Sequence, residues 1–372
     1  MPVRKIDTDS LTEKQRFIDL PFELYATSPL WVPPIRSNVA FVLNRFKHPF
    51  YQHSQAEFFI VEEKGKVLGR LAVLDKQPYN TFHKKYTAFF YLFEAVEDTR
   101  VASLLFDQAK QWARQRGLTE IIGPFGFLQG DSIGILVDGF EHRPALGQSY
   151  NYPYYDKLLK EVGFRKRCDY LSGYLPGDYQ LSDRFYTIAE RVKEKRGFWI
   201  KSFKSKKELK QWIGDIQRVY NEAFVGNLSY SPLNEIETKV VAQQMLAIAN
   251  PQLIKLVMKQ DQIIGFLFAF ADITDGIRSC LGRIWPWGWL VLLRESRRTS
   301  WINFNGTGIL PGHRGVGANA VLYTEMAKTI RQFQFKHADI VQISEENIKS
   351  MGDMKAIGVK WYKTHRIYEI SL

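Results

Sequence analysis

Cysteine is scarce in this sequence: Cys168 and Cys280 are the only two in 372 residues. That is too few for a disulfide framework, and they lack the paired spacing of a zinc site. A reducing compartment fits this usage, and no metal is expected. No apolar run reaches the ~18 residues that a membrane span needs. The opening MPVRKIDTDSLTEKQRF has no apolar core of the kind a signal peptide carries. The expectation is therefore a soluble, cytoplasmic chain with no membrane span. Long Lys/Arg runs, zinc-finger spacings and RNP signatures are also missing, which argues against a DNA-binding role.

Hydrophobic residues make up 45% and charged residues 24%, so the chain is neither disordered nor fibrous, and aromatics are rich at 14%. At this length two domains are expected. The formal net charge of +12 is compatible with nucleic acid, an anionic membrane or a phosphorylated ligand, and a polyanionic cofactor accounts for part of it.

Apolar periodicity predicts helices alternating with short strands, the pattern of an α/β or α+β sheet protein. It runs twice. The first pass has strands at Glu57–Val61, Val67–Leu74, Phe89–Phe93 and Thr119–Ile122, with helices at Val101–Arg116 and Tyr154–Val162. The second has strands at Leu253–Lys259, Ile263–Ala271, Trp301–Ile309, His337–Ile343 and Lys360–Ile370, with helices at Val316–Gln332 and Glu346–Ala356. Gly69 to Gly163 spans 94 positions and Gly265 to Gly358 spans 93, so the passes read as a degenerate repeat. Its boundary is placed in the polar stretch Pro176–Arg196, giving domains over 1–180 and 197–372.

The most informative segment is the loop from Gly308 to Asn319, which lies between a predicted strand and a predicted helix. Glycines there let several amide N–H groups point into one concavity, and the following helix adds its positive end. A pyrophosphate suits such a loop. A Walker A element is excluded because Gly-Lys-Ser/Thr is absent, and a dinucleotide fingerprint because no G-x-G-x-x-G run is present. From spacing alone, an ordinary strand-to-helix turn remains equally open.

The stretch Arg314-Gly315-Val316-Gly317-Ala318-Asn319 resembles motif A of the GNAT superfamily, the acyl-CoA N-acyltransferases, whose pattern is Arg/Gln-x-x-Gly-x-Gly/Ala. Arg314 and Gly317 match; Asn319 departs from the final small residue. Ile343–Asn347 resembles the family's motif B, and Trp361–Tyr368 its closing hairpin. Leu30–Pro34, His48–Phe50, Gly69-Arg70, Gly123-Pro124 and Asn151–Tyr155 are similar to features of a tandem-domain bacterial group of about this length. The resemblance implies two tandem GNAT-like domains, each a mixed, mostly antiparallel sheet flanked by helices. It also implies acetyl-CoA or another acyl-CoA as co-substrate, held by Gly308, Ile309, Leu310, Arg314, Gly315, Val316, Gly317, Ala318 and Asn319. The acceptor would be a small molecule or peptide amine between the domains. In the first half, Glu97-Asp98-Thr99-Arg100 stands where the glycines should be, and its carboxylates would repel a diphosphate; that half is expected not to hold CoA in the family's way.

Acyl transfer to an amine needs a general base, a polarising N–H and a proton for the thiolate. Glu345 and Asn347 are the candidate catalytic residues. Glu345 and Glu346 read equally as acids favouring a helix start, and His313, Tyr362 and Tyr368 as exposed or packed side chains. Seven residues beyond Asn347, where the family commonly places a tyrosine acid, stands Met354.

Between the second and third strands of the second pass lies the insertion Arg283–Arg294, with Trp285, Trp287 and Trp289, followed by Arg297 and Arg298. The simpler reading packs it back into the interdomain core; the other gives it to a membrane surface or a hydrophobic acceptor. The function expected is acyl-CoA-dependent acyl transfer. The alternatives are a Fem-like aminoacyl-transferase, the one reading with tRNA as a partner, and a non-catalytic ligand-binding protein on the same fold.

Overall fold

The computed structural model describes residues 1–228 and 230–372. Its first half runs β1 (Val3–Lys5), α1 (Leu11–Leu24), α2 (Arg36–Val42), β2 (Gln55–Glu63), β3 (Lys66–Asp75), α3 (Gln77–His83), β4 (Thr87–Ala95), α4 (Thr99–Arg114), β5 (Glu120–Gly123), β6 (Ile135–Asp138), α5 (Tyr154–Glu161) and β7 (Arg165–Pro176). The second runs α6 (Asp183–Arg196), β8 (Phe198–Ser202), α7 (Lys206–Gln211), α8 (Ile213–Phe224), α9 (Glu235–Ile248), β9 (Ile254–Lys259), β10 (Gln262–Ala271), α10 (Thr274–Ser279), α11 (Gly288–Arg298), β11 (Trp301–Ile309), α12 (Ala318–Phe333), β12 (His337–Ser344), α13 (Ile348–Ile357) and β13 (Lys360–Ser371).

The alternating apolar residues of these strands build one continuous mixed sheet, ordered β1-β2-β3-β4-β5-β13-β7-β12-β11-β10-β9-β8, with β6 also on β13. The two halves exchange their closing strands. β13, from the second half, lies against β5 of the first, and β7, from the first, lies against β12 of the second. Each half's sheet is thus completed by the other, and the last strand of the chain sits at the centre of the fold.

The helices follow from their apolar stripes. In α4, Val101, Ala102, Leu105, Phe106, Ala109, Trp112 and Ala113 are buried and pack with β2 and β3 residues such as Phe59, Leu71 and Val73. Its counterpart α12 packs with α6 on one face of β9, β10 and β11. The opposite face of those strands is covered by α7, α8 and α9, with Phe266, Phe268 and Phe270 of β10 beneath them.

The polar stretch 176–196, where the domain boundary is expected, is mostly α6, whose Ala189 and Val192 are buried with α12. One expectation is corrected. The aromatic insertion does not complete an interdomain core. Trp285 and Trp287 are 80% and 72% exposed, and Trp289, Leu290, Val291 and Leu293 are exposed with them, because α11 packs through its other side onto α10.

Candidate functional site

In the second half, β11 and β12 run parallel but pair only from Trp301–Phe304 to His337–Ile340. Beyond Phe304 they part: β11 follows β10 to Ile309, while β12 follows β7 to Ser344. A bulge in β12 causes the divergence, with Gln342 at φ +47° and the register shifted between Ile340 and Ile343. Gln342 is pinned there, its amide donating to Ser172 Oγ at 3.2 Å and its Nε2 to Ile133 O at 2.9 Å. A wedge therefore opens, with a backbone edge of β11 that has no strand partner on that side.

The Gly308–Asn319 segment sits at the end of this edge. A Cβ on Gly308 would lie 2.7 Å from the Phe266 ring, so only glycine lets the strand run this close to β10. Arg314 turns back onto the segment, donating from Nε to Ile309 O at 3.0 Å and from Nη2 to Ala223 O at 2.8 Å. Gly315 and Gly317 both take left-handed φ, +72° and +93°, and a Cβ on Gly317 would meet Val192 of α6 at 2.8 Å. Nothing lies within 4 Å of where side chains on Gly312 or Gly315 would begin. Gly317 caps α12 with no side-chain bond. Among the described residues, the amides of Gly315, Val316, Gly317, Ala318 and Asn319 have no acceptor. A turn with open glycines, five free N–H groups and an uncompensated helix N-terminus can accept an anion. Asn319 is drawn onto α13, its Nδ2 donating to Asp353 Oδ2 at 2.6 Å.

The structure places the two candidate catalytic residues in structural bonds. Glu345 accepts from the Asp169 amide at 2.9 Å and from Lys166 Nζ at 3.1 Å, tying the end of β12 to β7. Asn347 caps α13, accepting from the Ser350 amide at 3.1 Å. Glu346 pairs with Arg167 at 2.7 Å. Met354 is buried with Leu181, Ile340, Ile357 and Val359, where a tyrosine hydroxyl would have no polar neighbour among them.

The sequence reading missed a buried polar centre on the sheet face opposite α12. Asn303, Asp339, Asp272 and Lys363 are all at most 1% exposed, and Asn303 and Asp339 are register neighbours in the last paired rungs before the wedge. Lys363 Nζ donates to Asp339 Oδ2 at 2.8 Å, Gln148 Oε1 at 2.7 Å and Arg143 O at 2.9 Å. The Tyr362 hydroxyl also donates to Asp339 Oδ2. Asp272 accepts from Asn303 Nδ2 at 2.7 Å and Arg143 Nη2 at 2.8 Å. Burial pushes the Asp339 carboxyl up against the downward pull of Lys363, and pushes the Lys363 ammonium down. Asn303 Oδ1 and Asp339 Oδ1 are left without partners among the described residues. The available signal was an aspartate at an inward position of the apolar strand His337–Ile343. No cluster of three His, Cys, Asp or Glu among the described residues is placed to hold a metal ion.

The equivalent place in the first half is closed. Gly69 pairs with Ala95 as Gly265 pairs with Ile309, so Ala95 corresponds to Ile309. Its N–H donates to the Tyr155 hydroxyl at 3.2 Å and its carbonyl accepts from Tyr154 at 2.8 Å. The following helix is capped by Asp98, whose side chain accepts from the Arg100 amide and guanidinium.

No protein family profile matches the chain. A protein of Caulobacter vibrioides named bacterial ceramide synthase is 24% identical over 370 residues, covering 97% of this chain and 95% of that one. Protein YghO of Escherichia coli is 22% identical over 362 residues, 95% of this chain and 91% of its own. Among solved structures, a tandem GNAT protein from the clavulanic acid biosynthesis pathway superposes with a TM-score of 0.57 at 11% identity, covering 100% of this chain and 98% of that one. The open parallel wedge, the glycine turn after β11 and this likeness over the whole length agree: the chain has the GNAT fold, in tandem.

Proposed function

We propose that the chain transfers an acyl group from acyl-CoA to the amine of a long-chain amino alcohol, the bond that makes a ceramide. The observation that carries the reading is the row of free amides from Gly315 to Asn319 beside the unpartnered edge of β11. It supports one diphosphate at the turn and one amide-bearing arm along Gly308, Ile309 and Leu310, with Arg314 bracing the turn. The name of the Caulobacter vibrioides relative supports the acceptor class.

The thioester supplies the acyl carbon: the amine forms the C–N bond, the C–S bond breaks, and the proton lost by the amine ends on the released thiol. The amides of the turn hold the diphosphate, and the wedge orients the arm toward the last paired rung, Phe304 and Ile340. Just below that rung, on the opposite sheet face, Asn303 Oδ1 and Asp339 Oδ1 are buried acceptors without a partner among the described residues. Glu345, which ties the end of β12 to β7, and Asn347, which caps α13, enter this reading as positioning residues beside the wedge.

The test supplies palmitoyl-CoA and sphinganine to the purified chain and follows the N-acylated product by mass spectrometry together with thiol release. Product formation that Gly315→Asp abolishes supports the reading. Turnover of acetyl-CoA with short amines alone would keep acyl transfer and reject the lipid acceptor. No thiol release with any donor would reject acyl transfer.

A further inference from the structure

We infer that α11 and the tryptophan loop before it form a docking surface for an anionic lipid bilayer. Gly288, Leu292 and Glu295 recur at helical spacing on one side of α11, and that side is used: Leu292 Cδ2 and the Glu295 Cβ would each lie 3.1 Å from a Cβ on Gly276 of α10. The other side is covered by nothing among the described residues. There Trp289, Leu290 and Leu293 stand exposed, continuous in sequence with the still more exposed Trp285 and Trp287. Single exposed apolar residues are ordinary on a protein surface, but a contiguous set of this size on one helix is not.

The charges commit the surface to one occupant. Residues 283–298 contain four arginines, Arg283, Arg294, Arg297 and Arg298, against the single acid Glu295. Among the described residues none of the four arginines has an ion-pair partner, and Glu295 lies on the inner side, its carboxyl pushed up by burial. Tryptophans at the headgroup level, leucines beneath them and unpaired arginines alongside match a bilayer with anionic headgroups. A neutral protein groove would satisfy the apolar side and leave the arginines unmatched. No helix among the described residues is long and apolar enough to cross a membrane, so the contact is with the surface. Docking would place α10 and the Asp272–Thr274 end of the buried polar centre one helix layer from the lipid. The inference stands on this surface alone and does not depend on the acyl-transfer reading.

The test sediments the full chain with vesicles of equimolar phosphatidylglycerol and phosphatidylcholine, beside vesicles of phosphatidylcholine alone. Wild type is expected to pellet with the anionic vesicles and to be released by salt, because screening weakens the arginine contribution. The triple variant Trp285→Ser, Trp287→Ser and Trp289→Ser is expected to bind at least tenfold more weakly. Arg294→Gln, Arg297→Gln and Arg298→Gln together should remove the preference for anionic vesicles, at about fivefold per arginine. All the changed side chains are exposed, and far-UV circular dichroism checks that the fold is intact. Wild type remaining in the supernatant, or the tryptophan variant pelleting as well as wild type, overturns the inference. A homodimer broken by the tryptophan substitutions, without vesicle binding, overturns it in favour of self-association.

Discussion

The two halves share a backbone frame and differ in what fills it. After the strand that ends at Ala95, two tyrosines occupy the backbone groups and an aspartate caps the next helix. After the strand that ends at Ile309, the frame leads into open glycines and a helix capped by Gly317 alone. Counting back from Gly163 and Gly358, Tyr154 and Tyr155 correspond to Lys349 and Ser350, so the aromatic plug has no counterpart in the second half. A few side chains thus close in one half what the other leaves open while the sheet persists, because the ladder hydrogen bonds and apolar alternation that hold the strands are elsewhere.

The largest effect is expected at the polar centre, which Asp272, Asn303, Asp339 and Lys363 of the second half build together with Arg143 and Gln148 of the first. Lys363→Ala leaves the buried Asp339 carboxylate without its cation and should lower unfolding stability by about 3–5 kcal/mol in denaturant titrations. Lys363→Met combined with Asp339→Leu should recover much of that loss, since it removes both charges; a double variant no better than the single one contradicts the assignment.

Acid should strain both halves. Burial pushes His48, in the first half, and His365, on β13, down to about 4. Both rings are neutral when folded and take up protons more readily when unfolded. Their contribution is fully present above about pH 6.5 and is lost as pH falls toward 4, on the order of 3 kcal/mol each. Urea midpoints across that window should fall, and His48→Gln or His365→Gln should flatten the slope; an unchanged slope removes the histidines from the account.

Gly315→Asp sharpens the comparison directly, by placing a carboxylate in the second half's turn as Asp98 stands in the first. It should weaken acyl-CoA at least a hundredfold by calorimetry, about 2.7 kcal/mol, and, although the space around Gly315 is open, its left-handed φ of +72° should cost the aspartate about 1–2 kcal/mol of stability. The smallest effect concerns the plug. Tyr155→Phe removes a donor to Glu94 and an acceptor from Ala95 and should cost about 1–3 kcal/mol of stability while leaving acyl-CoA affinity unchanged; an altered affinity would link the two ends of the sheet.

Much of the frame was legible in the sequence, since alternation and helical stripes are local signals. The strands around Gly69 and Gly265, the two long helices after them, and the glycine turn at Arg314 to Asn319 all stand close to their predicted places. The strand exchange was not legible, because the apolar pattern of Arg165–Pro176 and Lys360–Ser371 is the same whichever half they complete. Lys363 and Asp339 meet across 24 positions, and Arg143 and Asp272 across 129, separations at which no local pattern reports. The exposed insertion was readable only as two alternatives, and its arginines acquire meaning once its outer side is seen to be uncovered.

The central claim, one acyl-CoA site per chain in the second half, is tested most directly by calorimetric titration of wild type and Gly315→Asp with a long-chain acyl-CoA. The account predicts saturation at one equivalent per chain, lost in the variant. Saturation at two equivalents, or one equivalent retained in the variant, would contradict it.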